Sequence, residues 1–457
     1  MDPPDGSPDE FRFVEAGDDH REEWHGAIIY SIYNPRQAVN IPRRNLLIGI
    51  FVASFLLRAV LLWHPPKHYF DEVYFAYNAQ EMSKGNVEAW KVSTQAPQGF
   101  AFAWNHPFLG KEIMGLTVKL FGDHPFGWRI SSALFGAGAT VAMFILAEVL
   151  LGSIPAGLVA SFLFMMDGLM FTMSRISTMD IILLFWHLVT FIGIVSFAKT
   201  RAWRGGLLAS VGAGLSFATK WSGILTLPMV ALFVGVPLLR QGDDSIWKRF
   251  MKVIYLLVCI PLLIYIAVHV VQWIATGFSW KEVWEVQKQT WMYHAGLKAT
   301  HPHQSAWWQW PLMLRSLWFY VDYSAWSGGK VGNIYALGNP LIYWSGVAAL
   351  VALFWVMIRK REFVPTFISV GFLLFWLPWG ASPRISFLYH FMPAAVFVLL
   401  GLTYWLHRAW DVSYLRRWAY IYIGIAFVLF CVFYPIYTGI LIPKEYFNAL
   451  MWLPGWR

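Results

Sequence analysis

From residue 45 onward the chain alternates between long apolar runs and short polar connections. Runs near the length needed to cross about 30 Å of hydrocarbon fall at 45–63, 130–150, 154–173, 181–198, 205–219, 222–238, 253–272, 340–358, 363–379, 385–406 and 418–440. The pattern predicts an all-α polytopic membrane protein with about eleven helices. Two connections, 64–129 and 273–339, are far too long to be turns. Ahead of the first run, residues 1–44 are polar, and between Asp2 and Glu23 nine acids stand against two bases. A secretory signal needs a basic start followed at once by an apolar core. This stretch therefore reads as a disordered cytoplasmic tail, leaving 45–457 as the membrane domain.

Composition narrows the class. With 58% hydrophobic and 13% charged residues in 457, the chain lies outside the soluble range. Its 27 Trp and 20 Tyr imply broad interfacial belts. Cys259 and Cys431 both lie in apolar runs, which excludes a disulfide framework or a paired-cysteine metal site. The net charge of +9 raises nucleic acid as a partner, but the cations sit in short loops, where topology accounts for them. Arg36, Arg43 and Arg44 precede the first run and set the N-terminus inside. By parity, the loops holding Lys199, Arg201 and Arg204; Arg240, Lys248, Arg249 and Lys252; Arg359, Lys360 and Arg361; and Arg408, Arg416 and Arg417 all fall on that side. Both long loops and the C-terminus are then extracytoplasmic.

The exceptions to this rule are informative. Arg129, Arg175, Lys220 and Arg384 fall at the outer ends of helices, where ionisable groups often mark function. One such cation can snorkel to lipid headgroups; four at one depth point to an anion, and a phosphate fits. Lys220 and Arg384 lie at breaks between runs, where unwound backbone can line a cavity. The first long loop supplies Asp71 and Glu72, in Phe70-Asp71-Glu72-Val73-Tyr74, which the helical spacing places in the first turn of a helix. Acids there commonly do no more than favour the helix N-terminus, but this pair lies on the same side of the membrane as the stranded cations. Asp167 and Asp180 also lie near helix ends, and their expected role is structural pairing with Arg175.

These parts suit the transfer of a sugar from a lipid phosphate. The phosphate already leaves well, so the site needs cations for the departing oxygens and one base for the attacking hydroxyl. A glycoside hydrolase instead places two carboxylates roughly 5–9.5 Å apart across the sugar. Adjacent Asp71 and Glu72, pointing about 100° apart around a helix, cannot flank one bond. With no second carboxylate suited to a covalent intermediate, inversion is expected.

The runs Phe70-Asp71-Glu72-Val73-Tyr74, Asn105-His106-Pro107-Phe108-Leu109-Gly110-Lys111, Phe121-Gly122-Asp123-His124-Pro125-Phe126-Gly127-Trp128-Arg129, Ser174-Arg175-Ile176, Lys220-Trp221-Ser222-Gly223 and Phe387-Leu388-Tyr389-His390 resemble the protein O-mannosyltransferases. Tyr293-His294-Ala295-Gly296-Leu297, with His301-Pro302-His303-Gln304-Ser305 and Trp308-Gln309-Trp310-Pro311-Leu312, looks like the bacterial branch. The ordered matches run from about residue 45 to the C-terminus. The chain departs from the family's pattern at Phe108, where a second Pro is usual, and at Ala306-Trp307.

The resemblance implies a GT-C glycosyltransferase that moves mannose from a polyprenyl-phosphate carrier to Ser or Thr of secreted or membrane proteins on the outer side of the cell membrane. The second loop, about 67 residues, is too short for the MIR domain of eukaryotic relatives. Carried over by resemblance, Asp71 is the general base, and Glu72 positions Arg129 or the acceptor. Arg129 braces the acidic pair or meets the donor phosphate. Lys220 and Arg384, with Arg175 and Lys111, are expected at the phosphate, and His106, His301, His303 and His390 at the sugar or acceptor. Some GT-C enzymes use a divalent ion, so a metal stays an open expectation. The Trp-rich stretch from Trp280 reads as an interfacial amphipathic helix that anchors, covers the donor, or does both. Two other readings remain: a GT-C enzyme passing another lipid-linked sugar to a lipid or glycan, and a transporter of lipid-linked sugars. Transporters often repeat their halves, and the Asp-Glu loop has no second copy here.

Overall fold

The computed structural model describes residues 41–92, 94–240, 244–326, 328–382 and 384–457. The expected tail, 1–44, lies almost wholly outside them. The chain divides into two compact units, 1–49 and 50–457, and every contact below lies within the second.

Eight described helices are long and apolar enough to cross a membrane: Pro125–Leu151, Asp180–Thr200, Trp221–Arg240, Ile246–Thr276, Pro340–Lys360, Phe363–Ala381, Leu388–Asp411 and Ser413–Thr438. Three shorter helices, Arg43–Ala59, Ile154–Met165 and Trp203–Thr219, occupy the other three expected places. The expected 154–173 span is interrupted. Asp167 accepts from the backbone N of Met170, caps a new short helix, Gly168–Met173, and also accepts from the N of Asn339. Asp167 is thus a cap and not a partner of Arg175.

Burial differs sharply among the helices. The apolar core of Leu388–Asp411 is 89% buried, whereas Ile246–Thr276 and Ser413–Thr438 are 28% buried and present Leu263, Ile274 and Val428 outward. The bundle is therefore wrapped around the helix that follows His390. Asp180–Thr200 and Trp203–Thr219 pack most closely. A Cβ on Gly193 would lie 2.3 Å from the Ala209 nitrogen, and one on Gly205 2.5 Å from the Phe197 nitrogen. Small residues let these two backbones touch, which fixes Lys220, just beyond the second helix, against Asp180 at the start of the first.

The long loops and the C-terminal segment gather at one end. The loop 273–339 is not purely helical. Leu317–Tyr320 pairs antiparallel with Ile334–Ala336, and Lys330–Val331 pairs with Ile442–Pro443. The alternating burial of Leu317-Trp318-Phe319-Tyr320 favours a strand over a helix. Trp456, fully buried, donates through Nε1 to the Met313 carbonyl, so the C-terminal segment is part of this cap. The expected interfacial helix is present as Trp280–Gly296. Val286 and Thr290 are buried while Trp280, Trp284 and Trp291 are about 70% exposed, the split expected of a helix lying on a surface.

Candidate active site

Phe70–Val73 forms a single 3-10 turn rather than the start of an α-helix, which begins at Phe75. Phe70 adopts a left-handed φ of 49°, a conformation that costs a bulky residue roughly 1–2 kcal/mol and persists where surroundings enforce it. Its ring packs 4.7 Å from Phe319 and 6.2 Å from Phe387. The turn sends the two neighbouring carboxylates in different directions.

Glu72 points inward and is fully buried. Arg129 donates to it through Nε at 2.7 Å and Nη2 at 2.9 Å, and the backbone nitrogens of Tyr69 and Ser177 also donate to it. The other Arg129 donors end on the carbonyls of Leu62, Pro65 and Lys67. All five guanidinium N–H groups are therefore satisfied internally, and Arg129 braces the loop instead of meeting a phosphate.

Two other expected phosphate ligands are corrected in the same way. Arg175 donates to the carbonyls of Arg58, Val60 and Leu61, satisfying backbone acceptors left open where the first helix ends. Lys111, fully buried, donates to the carbonyls of Ala103 and His106 and lies 4.2 Å above the Phe108 ring. Burial pulls its amine down to about 7. It pins the 103–106 loop, and Phe108 supplies the face on which it rests.

Asp71 faces the other way, toward Lys220. Burial first, and then the negative charge of Asp180, push its carboxyl up to about 7, against the opposing pull of Lys220. Lys220 stands in extended conformation between Thr219 and the turn Trp221–Leu225, so its side chain leaves the helix axis. Its ammonium donates to Asp180 at 2.9 Å and sits 5.6 Å over the Tyr389 ring. A Cβ on Gly223 would lie 2.3 Å from the Ser216 carbonyl carbon, so only glycine lets this turn fold back against the preceding helix.

A cavity of about 300 Å³ opens beside this cluster, lined by Lys220, Arg384, His106, His294, His390 and Trp379 among others. Arg384 donates through Nη1 to His294 Nδ1 at 2.7 Å, while its buried Nε has no hydrogen-bond partner among the described residues. His106 is buried with Nδ1 unpartnered, and burial, reinforced by the charge of Lys220, holds its imidazole neutral, well below the usual range. The cavity wall thus carries two cations, Lys220 and Arg384, with a neutral histidine beside them.

His301 and His303 do not line it. His301 packs against Phe387 and His303 stacks on Trp318 at 5.0 Å. Among the described residues no group of three His, Cys, Asp or Glu could hold a metal ion, and the two histidines do not fit a metal site by themselves. Sequence reasoning overlooked Asp180 as the partner of Lys220, Tyr389 as the ring beneath it, and His294. An acid at a helix start and an interfacial histidine carry no local mark of these roles.

Long apolar helices, a cap of two loops over one end, and a basic cavity beside a carboxylate of raised pKa define a multi-pass membrane glycosyltransferase of the GT-C fold. Residues 48–275 match the family model of dolichyl-phosphate-mannose-protein mannosyltransferase, and residues 279–456 match the C-terminal four TMM region of protein-O-mannosyltransferase. The chain belongs to the protein O-mannosyltransferase family. It is 26% identical to the polyprenol-phosphate-mannose–protein mannosyltransferase of Mycobacterium tuberculosis, over 77% of this chain and 81% of that one. The corresponding Corynebacterium glutamicum protein is 24% identical, over 85% and 88%. Among solved structures, the Saccharomyces cerevisiae Pmt1-Pmt2 complex bound to the sugar donor superposes with a TM-score of 0.78, covering 92% of this chain and 93% of that one at 14% identity. ArnT from Cupriavidus metallidurans bound to undecaprenyl phosphate superposes at 0.55, covering 84% and 70%, also at 14% identity.

Proposed function

We propose that this protein moves mannose from a polyprenyl-phosphate-mannose donor to Ser or Thr hydroxyls of proteins on the outer side of the cell membrane, with inversion. The observation that carries the reading is the pairing of Asp71 with a cavity walled by Lys220 and Arg384. The named activity of the mycobacterial and corynebacterial relatives supports it.

In this reading the Asp71 carboxylate takes the proton of the acceptor hydroxyl. The oxygen attacks the anomeric carbon, and the bond from that carbon to the phosphate oxygen breaks. The electron pair leaves on the polyprenyl phosphate, whose charge Lys220 and Arg384 stabilise. Asp180 orients Lys220. His106 and His390 hydrogen-bond the sugar or the acceptor. Glu72 and Arg129 hold the turn that aims Asp71, and Trp280–Gly296 covers the phosphate end of the donor. A β-linked donor gives an α-mannoside.

The test is transfer by the purified protein from radiolabelled polyprenyl-phosphate-mannose to a Ser/Thr peptide. An α-linked glycopeptide supports the reading. Sugar delivered only to lipid, or donor moved across vesicles with no glycopeptide formed, overturns it.

A further inference from the structure

His294 lies on Trp280–Gly296, near the end of its inward face. Gln287, one heptad earlier, accepts from the Tyr265 hydroxyl, which in turn accepts from Trp221 Nε1. His294 is held at both ring nitrogens. Nδ1 lies 2.7 Å from Arg384 Nη1, and Nε2 lies 2.9 Å from the Asn105 carbonyl oxygen. A guanidinium can only donate and a carbonyl can only accept. The proton therefore resides on Nε2, and Nδ1 offers its lone pair to Arg384. Burial, helped by the Arg384 charge, holds this imidazole down at about 4, so the neutral tautomer persists through the neutral pH range.

Arg384 borders two spaces. One is the cavity of about 300 Å³ shared with Lys220, His106 and His390. The other, about 420 Å³, is lined by Lys298, Thr300, Gln304, Ser305 and Ser386. His294 lines the first and not the second. A guanidinium is planar and rigid, so fixing one of its nitrogens orients the whole fork. The imidazole is itself braced by the His106 ring at 5.1 Å and the Trp221 ring at 6.1 Å.

We propose that His294 is a positioning residue that, by accepting a hydrogen bond at Nδ1, turns the Arg384 guanidinium toward the Lys220 side of the site, where it meets the donor phosphate. The proposal rests on the donor-phosphate reading above. The interfacial helix is then more than an anchor: one side chain couples its docking to the orientation of a phosphate ligand.

The experiment compares His294→Leu, His294→Asn, Arg384→Ala and the double variant His294→Leu/Arg384→Ala in detergent. Mannose transfer to a peptide is measured, together with binding of sugar-free polyprenyl phosphate. Losing a hydrogen bond to a charged group should raise the donor KM of His294→Leu about tenfold, with kcat and the acceptor KM within about threefold. His294→Asn, whose amide oxygen can replace Nδ1, should recover most of the loss. The double variant should bind the carrier no worse than Arg384→Ala alone. Equal damage in the Leu and Asn variants, a parallel fall in kcat and melting temperature, or multiplying losses in the double variant would overturn the role. Carrier binding that follows this pattern without glycopeptide formation would sink the mannosyltransferase reading and leave His294 as a phosphate-site positioner. If His294→Leu fails to fold, the Asn variant still decides, because its carrier affinity should stay within about threefold of wild type.

Discussion

Five cations were drawn toward one anion by sequence, and the fold sorts them into two groups. Arg129, Arg175 and Lys111 direct their donors at Glu72 and at backbone carbonyls. Lys220 and Arg384 border a cavity, and each is steered by a single partner, Asp180 or His294. The difference lies in backbone context. Arg129, Arg175 and Lys111 sit where helices end or loops double back, and unpaired carbonyls collect them. Lys220 and Arg384 stand on irregular connections, and among the described residues each makes its side-chain hydrogen bond to another side chain. A cation at the membrane rim is therefore a ligand candidate only after the local backbone has been satisfied.

The comparison can be broken from either side. Asp71→Asn tests the reactive half most severely: removing a general base should lower transfer roughly 100- to 10,000-fold with the melting temperature in detergent unchanged. Substantial residual transfer would remove Asp71 from the chemistry. On the bracing half, Arg129→Met leaves Glu72 as an unpaired buried carboxylate, a loss of about 3–5 kcal/mol. It should appear as a lower melting temperature and yield, and a well-folded variant with only a raised donor KM would return Arg129 to the phosphate.

Smaller effects sharpen the division. Because the Asp71 carboxyl is raised to about 7 and a base works only when ionised, kcat/KM should rise with pH through that value. At pH 5 it should be roughly a hundredth of its plateau. Asp180→Asn removes a charge that favours protonated Asp71, so the midpoint should move to lower pH; an upward shift would contradict the stated cause. Arg384→Ala should raise the donor KM about tenfold while leaving the acceptor KM alone, as kinetics with varied donor and peptide will report. Smallest of all, His303→Ala should change transfer less than about threefold, since the ring stacks on Trp318 away from the cavity.

Particular residues show where sequence reading succeeded. Eight of the eleven apolar runs coincide with described helices long and apolar enough to span a membrane, and the other three hold shorter helices, because hydrocarbon imposes length and composition on anything that spans it. Lys220 stood out as a charge at a depth where charge is uncommon, and Asp71 as an acid in the long loop on the same side as the stranded cations. The reading missed where bonds turn on three-dimensional neighbours. Asp167 and Asp180 looked like equivalent partners for Arg175, yet one caps Gly168–Met173 and the other holds Lys220. The Asp-Glu pair looked like the start of an α-helix, but the positive φ of Phe70 and the pull of Arg129 make it a 3-10 turn.

By itself the sequence determined a membrane-embedded helical chain, its family, and a short set of ionisable groups at one rim, because solvent partitioning and motif order are written along the chain. Only the tertiary structure decided which of those groups are free to meet a substrate. A donor is free or occupied according to the acceptors within about 3 Å of it, and those acceptors come from segments tens to hundreds of residues away.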